Sequence, residues 1–245
     1  MSQRASFDTS LGNAASRQTF QRAVAMHSQS RLWEAEQLYK SALKADDRHF
    51  DSLYHLGLLY LQQNRFDDAT RAFRRAIKVD RNSAVAHHYL GMALIGLDRI
   101  EEAIQRFEKA LAIQPDLAET HHNLGHALDT LGRTQEAVEH YEKALAIRPA
   151  YPEAHNNLGN ALRALGRSEE AIVQYNRALA INPKYIDAHI NLGNSLMELR
   201  RPEEAIACYE QALAISPNNP WARDLLNQTL QFLTETQEQA SEDTS

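Results

Sequence analysis

Apolar residues recur along this chain at the spacing of an amphipathic helix, first over one stretch and then, after a short turn, over a second. Leu158, Leu162 and Leu165 follow one another at i, i+4 and i+7, which places them on one helical face. A turn at Gly166 comes next, and the same spacing then resumes until Pro183 prevents the helix from continuing. The pattern predicts a pair of helices, called A and B here, joined by a tight turn.

This helix pair repeats along the chain, and corresponding residues such as Ala35 and Ala69 lie 34 positions apart. The three series that keep this step are Ala35, Ala69, Ala103, Ala137, Ala171 and Ala205; Tyr39, Phe73, Phe107, Tyr141, Tyr175 and Tyr209; and Ala42, Ala76, Ala110, Ala144, Ala178 and Ala212. Small residues let helices approach, and the aromatic ring fills the space between them. One pair cannot bury its own apolar face, so neighbouring pairs are predicted to stack. The six predicted units span residues 16–49, 50–83, 84–117, 118–151, 152–185 and 186–219.

The two ends of the chain differ from the repeats. Residues 220–233 place Leu226, Leu230 and Leu233 at inward positions and have a polar outer face, which predicts a capping helix. Residues 234–245 are polar and acidic and contain no large apolar residue, so this tail is predicted to be disordered. The first fifteen residues, 1–15, are predicted to be disordered as well.

The repeated residues resemble the pattern of the tetratricopeptide repeat (TPR) family, W-x2-L-G-x2-Y followed by A-x3-F, A and P. Leu-Gly is kept in units two to six, and A-x3-[FY] in all six. The sequence departs from the pattern at the leading Trp, at Leu-Gly in the first unit, and at the final Pro in the first two units. His replaces the Trp in four units, as His87, His121, His155 and His189. The resemblance implies an all-α, right-handed superhelical solenoid whose A helices line a concave groove.

Composition narrows the function further. The chain has 26 Lys+Arg against 32 Asp+Glu and a net charge of -6, which argues against a nucleic-acid binder. No apolar run is long enough to span a membrane, and the N-terminus does not resemble a signal peptide, so a cytoplasmic location is expected. The lone Cys208 cannot form an internal disulfide. No catalytic motif is found, and we expect a non-enzymatic protein without a cofactor.

Asparagines recur at groove positions of the later units. By resemblance, positions 2, 5, 6, 9, 12 and 13 of each unit point into the groove. An asparagine amide offers both donors and an acceptor, so one per repeat could hold the backbone of an extended peptide. At position 6 the column, Asn123, Asn157 and Asn191, resembles the asparagine ladder in the TPR arm of O-linked N-acetylglucosamine transferase. The alternative is repeat consensus with no selected ligand. The residues predicted to contact a peptide are Asn123, Asn157, Asn191, Asn160, Asn194, Asn156, His88, His122, His126 and Arg163.

Apolar residues take several of the corresponding positions in the first three units. They predict a surface for a partner's apolar side chains or an amphipathic helix, unless the first unit or the N-terminal segment folds over it. The residues of this apolar groove are Phe20, Tyr54, Leu58, Tyr89 and Met92.

Two other kinds of site are disfavoured. By family resemblance, a carboxylate clamp of the chaperone type would need Lys at position 5, and no unit has one. Position 2 is mostly acidic and would repel a carboxylate. The spacing of His122 and His126, with His88 and Asp129 nearby, would allow a metal site. A polar groove wall is the simpler interpretation, and no metal is expected.

The sequence therefore predicts a scaffold that binds a protein or peptide segment in the concave groove. The alternative is the recognition arm of a glycosyltransferase-like enzyme; because few residues follow Pro217, its catalytic unit would have to be a separate chain or a part missing from this sequence. A third interpretation is self-association through the solenoid ends or the convex face.

Overall fold

The computed structural model describes the backbone of residues 2–242 and the side chains of residues 14–236. This part of the chain contains thirteen α-helices and no β-strand, so the all-α prediction is confirmed. The helices are α1 (Ser2–Ser28), α2 (Leu32–Ala45), α3 (Phe50–Gln62), α4 (Phe66–Val79), α5 (Ala84–Ile95), α6 (Ile100–Ile113), α7 (Ala118–Thr130), α8 (Thr134–Ile147), α9 (Pro152–Ala164), α10 (Ser168–Ile181), α11 (Ile186–Glu198), α12 (Pro202–Ile215) and α13 (Pro220–Glu242). Odd numbers are A helices and even numbers are B helices.

The chain divides into two compact halves, the N-terminal half of residues 1–127 and the C-terminal half of residues 128–245. At the ends, α1 starts at Ser2 and α13 ends at Glu242. The side chains of residues 1–13 and 237–245 lie outside the described residues. The predicted disorder of residues 1–15 and 234–245, the unit boundaries and the right-handed course of the whole chain stay predictions.

Within a unit, the A and B helices are held together by a glycine on A and a ring on B. A Cβ added to Gly57 would lie 2.6 Å from the ring of Phe73, and one added to Gly159 would lie 2.5 Å from Tyr175. The same approach recurs at Gly91 and at Gly193. The alanines of both repeated series are fully buried. Small residues are therefore required where the helices meet, because any larger side chain would occupy the volume of the ring.

The turn between A and B helices has one conformation in every unit. Its last residue before the arginine is left-handed, with φ between 56° and 77°. Glycine fills this position in two units, and residues with a Cβ in the other four: Ser30, Asn64, Asp98, Gly132, Gly166 and Arg200. An arginine follows directly and bonds the acid three residues later, over 2.5 to 3.0 Å. That carboxylate lies in the first turn of the B helix, where the helix dipole favours negative charge.

The histidines that replace the leading Trp tie neighbouring units together. Nε2 of His121 donates to the carbonyl of Pro115 over 3.0 Å, and Nε2 of His155 donates to the carbonyl of Pro149 over the same distance. His87 and His189 make the same bond to the residue six positions earlier. A carbonyl only accepts, so Nε2 carries the proton in each ring. These histidines fix the connection between a B helix and the next A helix, a role beyond the packing expected of a Trp substitute.

Candidate functional site

Three asparagine amides are joined in a row on the A helices of the C-terminal half. Nδ2 of Asn191, on α11, donates to Oδ1 of Asn156, on α9, over 3.0 Å. Nδ2 of Asn156 lies 3.5 Å from Oδ1 of Asn157. Asn156 is only 4% exposed, whereas Asn157 and Asn191 are half-buried. Because α9 and α11 belong to neighbouring units, this part of the predicted column is a hydrogen-bonded chain that crosses from one unit to the next. We call these three residues the amide row.

The other two asparagines predicted for the site in this half, Asn160 and Asn194, accept hydrogen bonds from buried tyrosines of their own units. The hydroxyl of Tyr175 donates to Oδ1 of Asn160 over 2.8 Å, and that of Tyr209 donates to Oδ1 of Asn194 over 2.9 Å. Burial raises the pKa of both phenols to about 12, so the hydroxyls remain protonated donors near neutral pH. Each asparagine oxygen is therefore engaged inside the protein, and Nδ2 is the group left for a ligand.

Units two and three, in the N-terminal half, have an apolar version of the same pairing. There the ring is a phenylalanine, Phe73 or Phe107, and the residue at the corresponding A-helix position is Leu58 or Met92. A phenylalanine has no hydroxyl that must be satisfied, so no amide is required. In units two, three, five and six the polar or apolar character of the A-helix residue thus follows the ring that it covers. The first unit is an exception, because Val24 stands at that position opposite Tyr39, whose hydroxyl lies 3.3 Å from Nδ1 of His27. This co-variation within one chain was present in the sequence and was missed.

We expect Asn194→Leu to destabilise the chain by about 1–2 kcal/mol, because it leaves the buried hydroxyl of Tyr209 without its acceptor. The double variant Asn194→Leu/Tyr209→Phe should regain most of that loss, since it recreates the pairing of Leu58 with Phe73. Chemical denaturation of both variants and of Tyr209→Phe, followed by circular dichroism, measures the coupling. An equal cost of Asn194→Leu in both backgrounds would show that the hydroxyl does not depend on Asn194.

His88 lies inside the N-terminal half, although the sequence predicted a contact facing the groove. It is 7% exposed, its Nδ1 lies 2.9 Å from Oγ1 of Thr120, and its ring stands edge-on to Tyr89 with centroids 4.9 Å apart. Burial, opposed by the charge of Glu119, holds the pKa of His88 below its usual value. The imidazole is therefore neutral near pH 7 and acts there as a packing and hydrogen-bonding group.

The remaining polar residues predicted for the site have more open surroundings. Asn123 is half-buried, donates to Sδ of Met92 over 3.1 Å, and has its Oδ1 3.3 Å from Nδ1 of His122. His126 is exposed. In the C-terminal half, Arg163 pairs with Glu198 over 3.1 Å, so its charge is already partly neutralised. A role in ligand selection stays a prediction for all of them.

The apolar residues predicted for the groove form part of a row of rings in the N-terminal half. Phe20 on α1 meets His55 edge-on at 5.1 Å, His55 meets Tyr54 at 5.3 Å, and Tyr54 meets Tyr89 at 5.8 Å. Leu58 is half-buried, and Met92 is 37% exposed. The row joins α1, α3 and α5 and leaves part of each aromatic side chain accessible. Such a surface suits apolar side chains of a partner.

One buried acid was not predicted from the sequence. Glu36 on α2 is 7% exposed, and its carboxylate accepts hydrogen bonds from Lys40, from Tyr60 on α3, and from Arg65 in the turn after α3. The Arg65 guanidinium also lies over the Tyr60 ring, 4.3 Å from its centroid. This network fastens the first two units to each other. Its signal was the occurrence of one acid in a column that otherwise holds Thr, Ile or Val.

No group of three or more His, Cys, Asp or Glu side chains in the described residues is arranged to hold a metal ion. Cys208 is half-buried, and burial raises the pKa of its thiol to about 11, so it is not an activated nucleophile. Over the same part of the chain, none of the helices is both long and apolar enough to cross a membrane.

Four family models match the chain, three described as "Tetratricopeptide repeat" and one as "TPR repeat". They match residues 82–150, 159–200, 50–83 with 186–219, and 130–178. Together they run without a gap from residue 50 to residue 219, which covers units two to six of the predicted repeat. No curated protein matches the sequence.

Solved structures share the fold at low sequence identity. PilW, a widely conserved type IV pilus biogenesis factor, is 22% identical over 86% of this chain and 98% of its own, with a TM-score of 0.77. The matched chain in the APC/C hetero-tetramer Cut9-Hcn1 is 21% identical over 86% of this chain, with a TM-score of 0.73, and this chain spans only 42% of it. YrrB, a TPR protein with an unusual peptide-binding site, is 22% identical over 76% of this chain and 96% of its own, with a TM-score of 0.65. The likeness of the asparagine column to O-linked N-acetylglucosamine transferase stays a prediction.

Proposed function

Since this chain is a tetratricopeptide repeat protein, we propose that it is a non-catalytic scaffold whose A helices bind an extended segment of a partner protein. The observation that carries the proposal is the amide row, Asn156, Asn157 and Asn191. The TPR fold is one that protein-interaction scaffolds use, and YrrB has a peptide-binding site on the same fold. The cytoplasmic location and self-association expected from the sequence are part of this proposal as well.

The amide row suits the backbone of a peptide better than any one side chain. An amide offers two donors and an acceptor, which match the carbonyl and N–H of an extended chain. Packed helices lie roughly 8–10 Å apart and an extended peptide advances about 3.3 Å per residue, so neighbouring units meet about every third residue. The hydrogen bond between Asn191 and Asn156 holds both amides in place before a ligand arrives, which lowers the entropy lost on binding.

The row of rings that joins α1, α3 and α5 in the N-terminal half would give this scaffold a second kind of contact. Tyr54, Tyr89 and Met92 offer partly accessible apolar surface, where the corresponding residues of the C-terminal half offer amides. A partner segment bound by the N-terminal half would therefore need apolar side chains, and one bound by the C-terminal half would need an accessible backbone. Sequence preference is expected to come from the N-terminal half.

The test is selection from a display library of random peptides, followed by titration of the selected peptides. We expect Asn156→Ala/Asn157→Ala/Asn191→Ala to weaken binding about tenfold or more, which corresponds to about 1.4 kcal/mol. The single variant Asn191→Ala, which leaves the buried Asn156 in place, should show part of that loss. N-methylation of the peptide backbone should also abolish binding, because it removes the backbone N–H groups that would donate to the asparagine side chains.

The matched control replaces three exposed asparagines of the same half, Asn176→Ala/Asn218→Ala/Asn227→Ala. It changes composition equally and should leave the affinity unchanged. Unchanged affinity in the amide-row variants, with both proteins folded by circular dichroism, would contradict the proposal. Binding that tolerates N-methylation would contradict backbone recognition.

The alternative, a recognition arm for a separate catalytic chain, rests on the asparagine column alone. It predicts that a transferase is recovered with this protein from source cells and is lost with the amide-row variant. A set of partners without any such enzyme would oppose it.

A further inference from the structure

A cleft on the B-helix side of the N-terminal half combines an apolar floor with basic walls. It lies between α2 and α4 above α3 and has a volume of about 460 Å³. Leu43, Leu53, Leu56 and Ala72 form the floor, and each of them is between 1% and 8% exposed. Lys40 and Lys44 on α2, and Arg71 and Arg75 on α4, form the walls. An adjoining cleft of about 370 Å³ shares Leu53 and Arg75 and adds Arg48 and Lys78. We call the two together the basic cleft.

The charges of this cleft are only partly compensated. Its lining contains six basic residues and two acids, Asp47 and Asp68, in a chain whose net charge is -6. Lys40 is paired with Glu36, and Arg71 with Asp68. Arg75 donates to a neutral acceptor, the backbone carbonyl of Asp47. The exposed residues Lys44, Arg48 and Lys78 form no ion pair with any described side chain. The cleft therefore carries positive potential against the charge of the whole protein.

The C-terminal half contains the same cleft without this charge. A space of about 580 Å³ lies between α8 and α10 above α9, and Leu145 and Leu158 form its floor at the repeat positions of Leu43 and Leu56. Glu142 and Ala146 stand at the positions of Lys40 and Lys44, so only Arg177, at the position of Arg75, keeps a cation. The repeat fold thus requires the apolar floor, because both halves have it. It does not require the basic walls, which are particular to the N-terminal half.

The spacing of the cations indicates the shape of the occupant. Lys40 and Lys44 are i, i+4 on α2, while Arg71, Arg75 and Lys78 are i, i+4, i+7 on α4, so each set lines one helical face. Two rows of cations thus flank the largely buried leucines of the floor. The complementary surface is an apolar stripe flanked by carboxylates on both sides, which is the pattern of an acidic amphipathic helix. A phosphate backbone would match the cations and leave the leucine floor unused.

We propose that the basic cleft is a docking site for an acidic amphipathic helix of a partner protein. This site lies on different helices and in a different half from the amide row, so either can fail without the other. Binding is expected to weaken as salt rises, since the attraction is between exposed charges. It is also expected to depend on the order of residues in the ligand and not on its charge alone.

The experiment uses a fluorescent helical peptide of glutamate and leucine, with leucines at i, i+3, i+4 and i+7, and measures anisotropy with the full chain. We expect Lys44→Glu/Arg75→Glu to lose tenfold or more in affinity. Lys44→Glu/Lys78→Glu, which removes no hydrogen bond within the protein, should show a similar loss. The control Lys143→Glu/Arg177→Glu changes the net charge equally in the C-terminal half and should bind like the native chain.

Three further probes decide between occupants. A peptide isomer with the leucines scattered should bind more weakly; equal binding would reduce the site to a bare cationic patch and overturn the proposal. A single-stranded DNA oligonucleotide or phosphatidylserine vesicles should also bind more weakly; tighter binding of either would assign the cleft to phosphate instead. An equal loss in the Lys143→Glu/Arg177→Glu control would likewise overturn it, because the attraction would then belong to the whole protein.

Discussion

The Gly159→Ala chain is expected to be about 1–2 kcal/mol less stable than the native one, although alanine is the better helix former. A Cβ at this position would lie 2.5 Å from Cε1 of Tyr175 and 2.8 Å from Cδ1 and Cζ. The ring is fully buried and its hydroxyl is bonded to Asn160, so it has little room to move. Overpacking of a core typically costs about 1–3 kcal/mol and sometimes more, which outweighs the roughly 1 kcal/mol that alanine gains over glycine in a helix. Denaturation followed by circular dichroism measures the difference.

Two control variants separate crowding from other effects of losing a glycine. Gly166 has φ of 77° and nothing within 4 Å of an added Cβ, so its replacement tests the turn alone. Gly166→Asn should be nearly neutral, because Asn64 occupies the same left-handed position in the N-terminal half. In a Tyr175→Leu background, Gly159→Ala should cost much less. A Gly159→Ala chain as stable as the native one would show that helix propensity prevails and that the close approach is not needed.

The same substitution connects stability with the proposed binding site. Asn157 and Asn160 lie on either side of Gly159 on α9, and Asn156 is one residue further. A shift of α9 away from α10 would displace the amide row and the acceptor of the Tyr175 hydroxyl together. We therefore expect the peptide affinity of Gly159→Ala to fall along with its stability. This close packing within a unit is a condition for the geometry of the site.

The helix pairs could be predicted from the sequence because their requirements are local and repeated. Gly159 and Tyr175 recur in phase with their counterparts, so one contact explains several positions at once. The turn arginines and their acids recur just as regularly and could have been found in the same way. The hydrogen bonds from the histidines that replace the leading Trp could not have been predicted in this way. The group that accepts each of them is a backbone carbonyl, which has no signal in the sequence.

The candidate site was less predictable because asparagines at repeated positions form different hydrogen bonds from one position to another. Asn156 and Asn191 bond to each other across units, while Asn160 and Asn194 satisfy tyrosines of their own units. All four were assigned to peptide contacts on position alone. His88 was assigned by the same reasoning and is buried against Thr120. Position on a helix predicts which face a side chain takes, but the partner of a polar atom depends on a second helix.

Glu36→Gln is expected to destabilise the chain by about 2 kcal/mol near neutral pH. The carboxylate accepts from Lys40 over 2.6 Å and from Arg65 over 2.7 Å, and the substitution removes the charge from both bonds. Removing one partner of a fully buried ion pair costs about 3–5 kcal/mol. Here the two cations are 46% and 39% exposed, so water compensates them in part and the expected cost is smaller. Urea denaturation of both chains measures it.

The pH dependence of this difference distinguishes lost charge from lost packing. Burial alone would raise the pKa of Glu36, but the hydrogen bonds from Lys40 and Arg65 outweigh it and hold the pKa below the ordinary 4.5. A carboxyl with a lowered pKa in the folded state contributes stability that is complete above pH 4.5 and is lost as pH falls through the folded-state value. The gap between the native chain and Glu36→Gln should therefore narrow on acidification.

Glu34 provides the matched control for Glu36. It is on the same helix and bonds Arg31 over 3.0 Å, but it is an exposed pair in which water replaces the lost contact. Glu34→Gln should therefore change stability far less than Glu36→Gln at every pH. Equal effects of the two substitutions would show that Glu36 behaves as a surface charge. The stability difference between the native chain and Glu36→Gln could also stay constant down to low pH. That result would mean that the packing of the Glu36 side chain, and not its charge, stabilises the contact between the first two units.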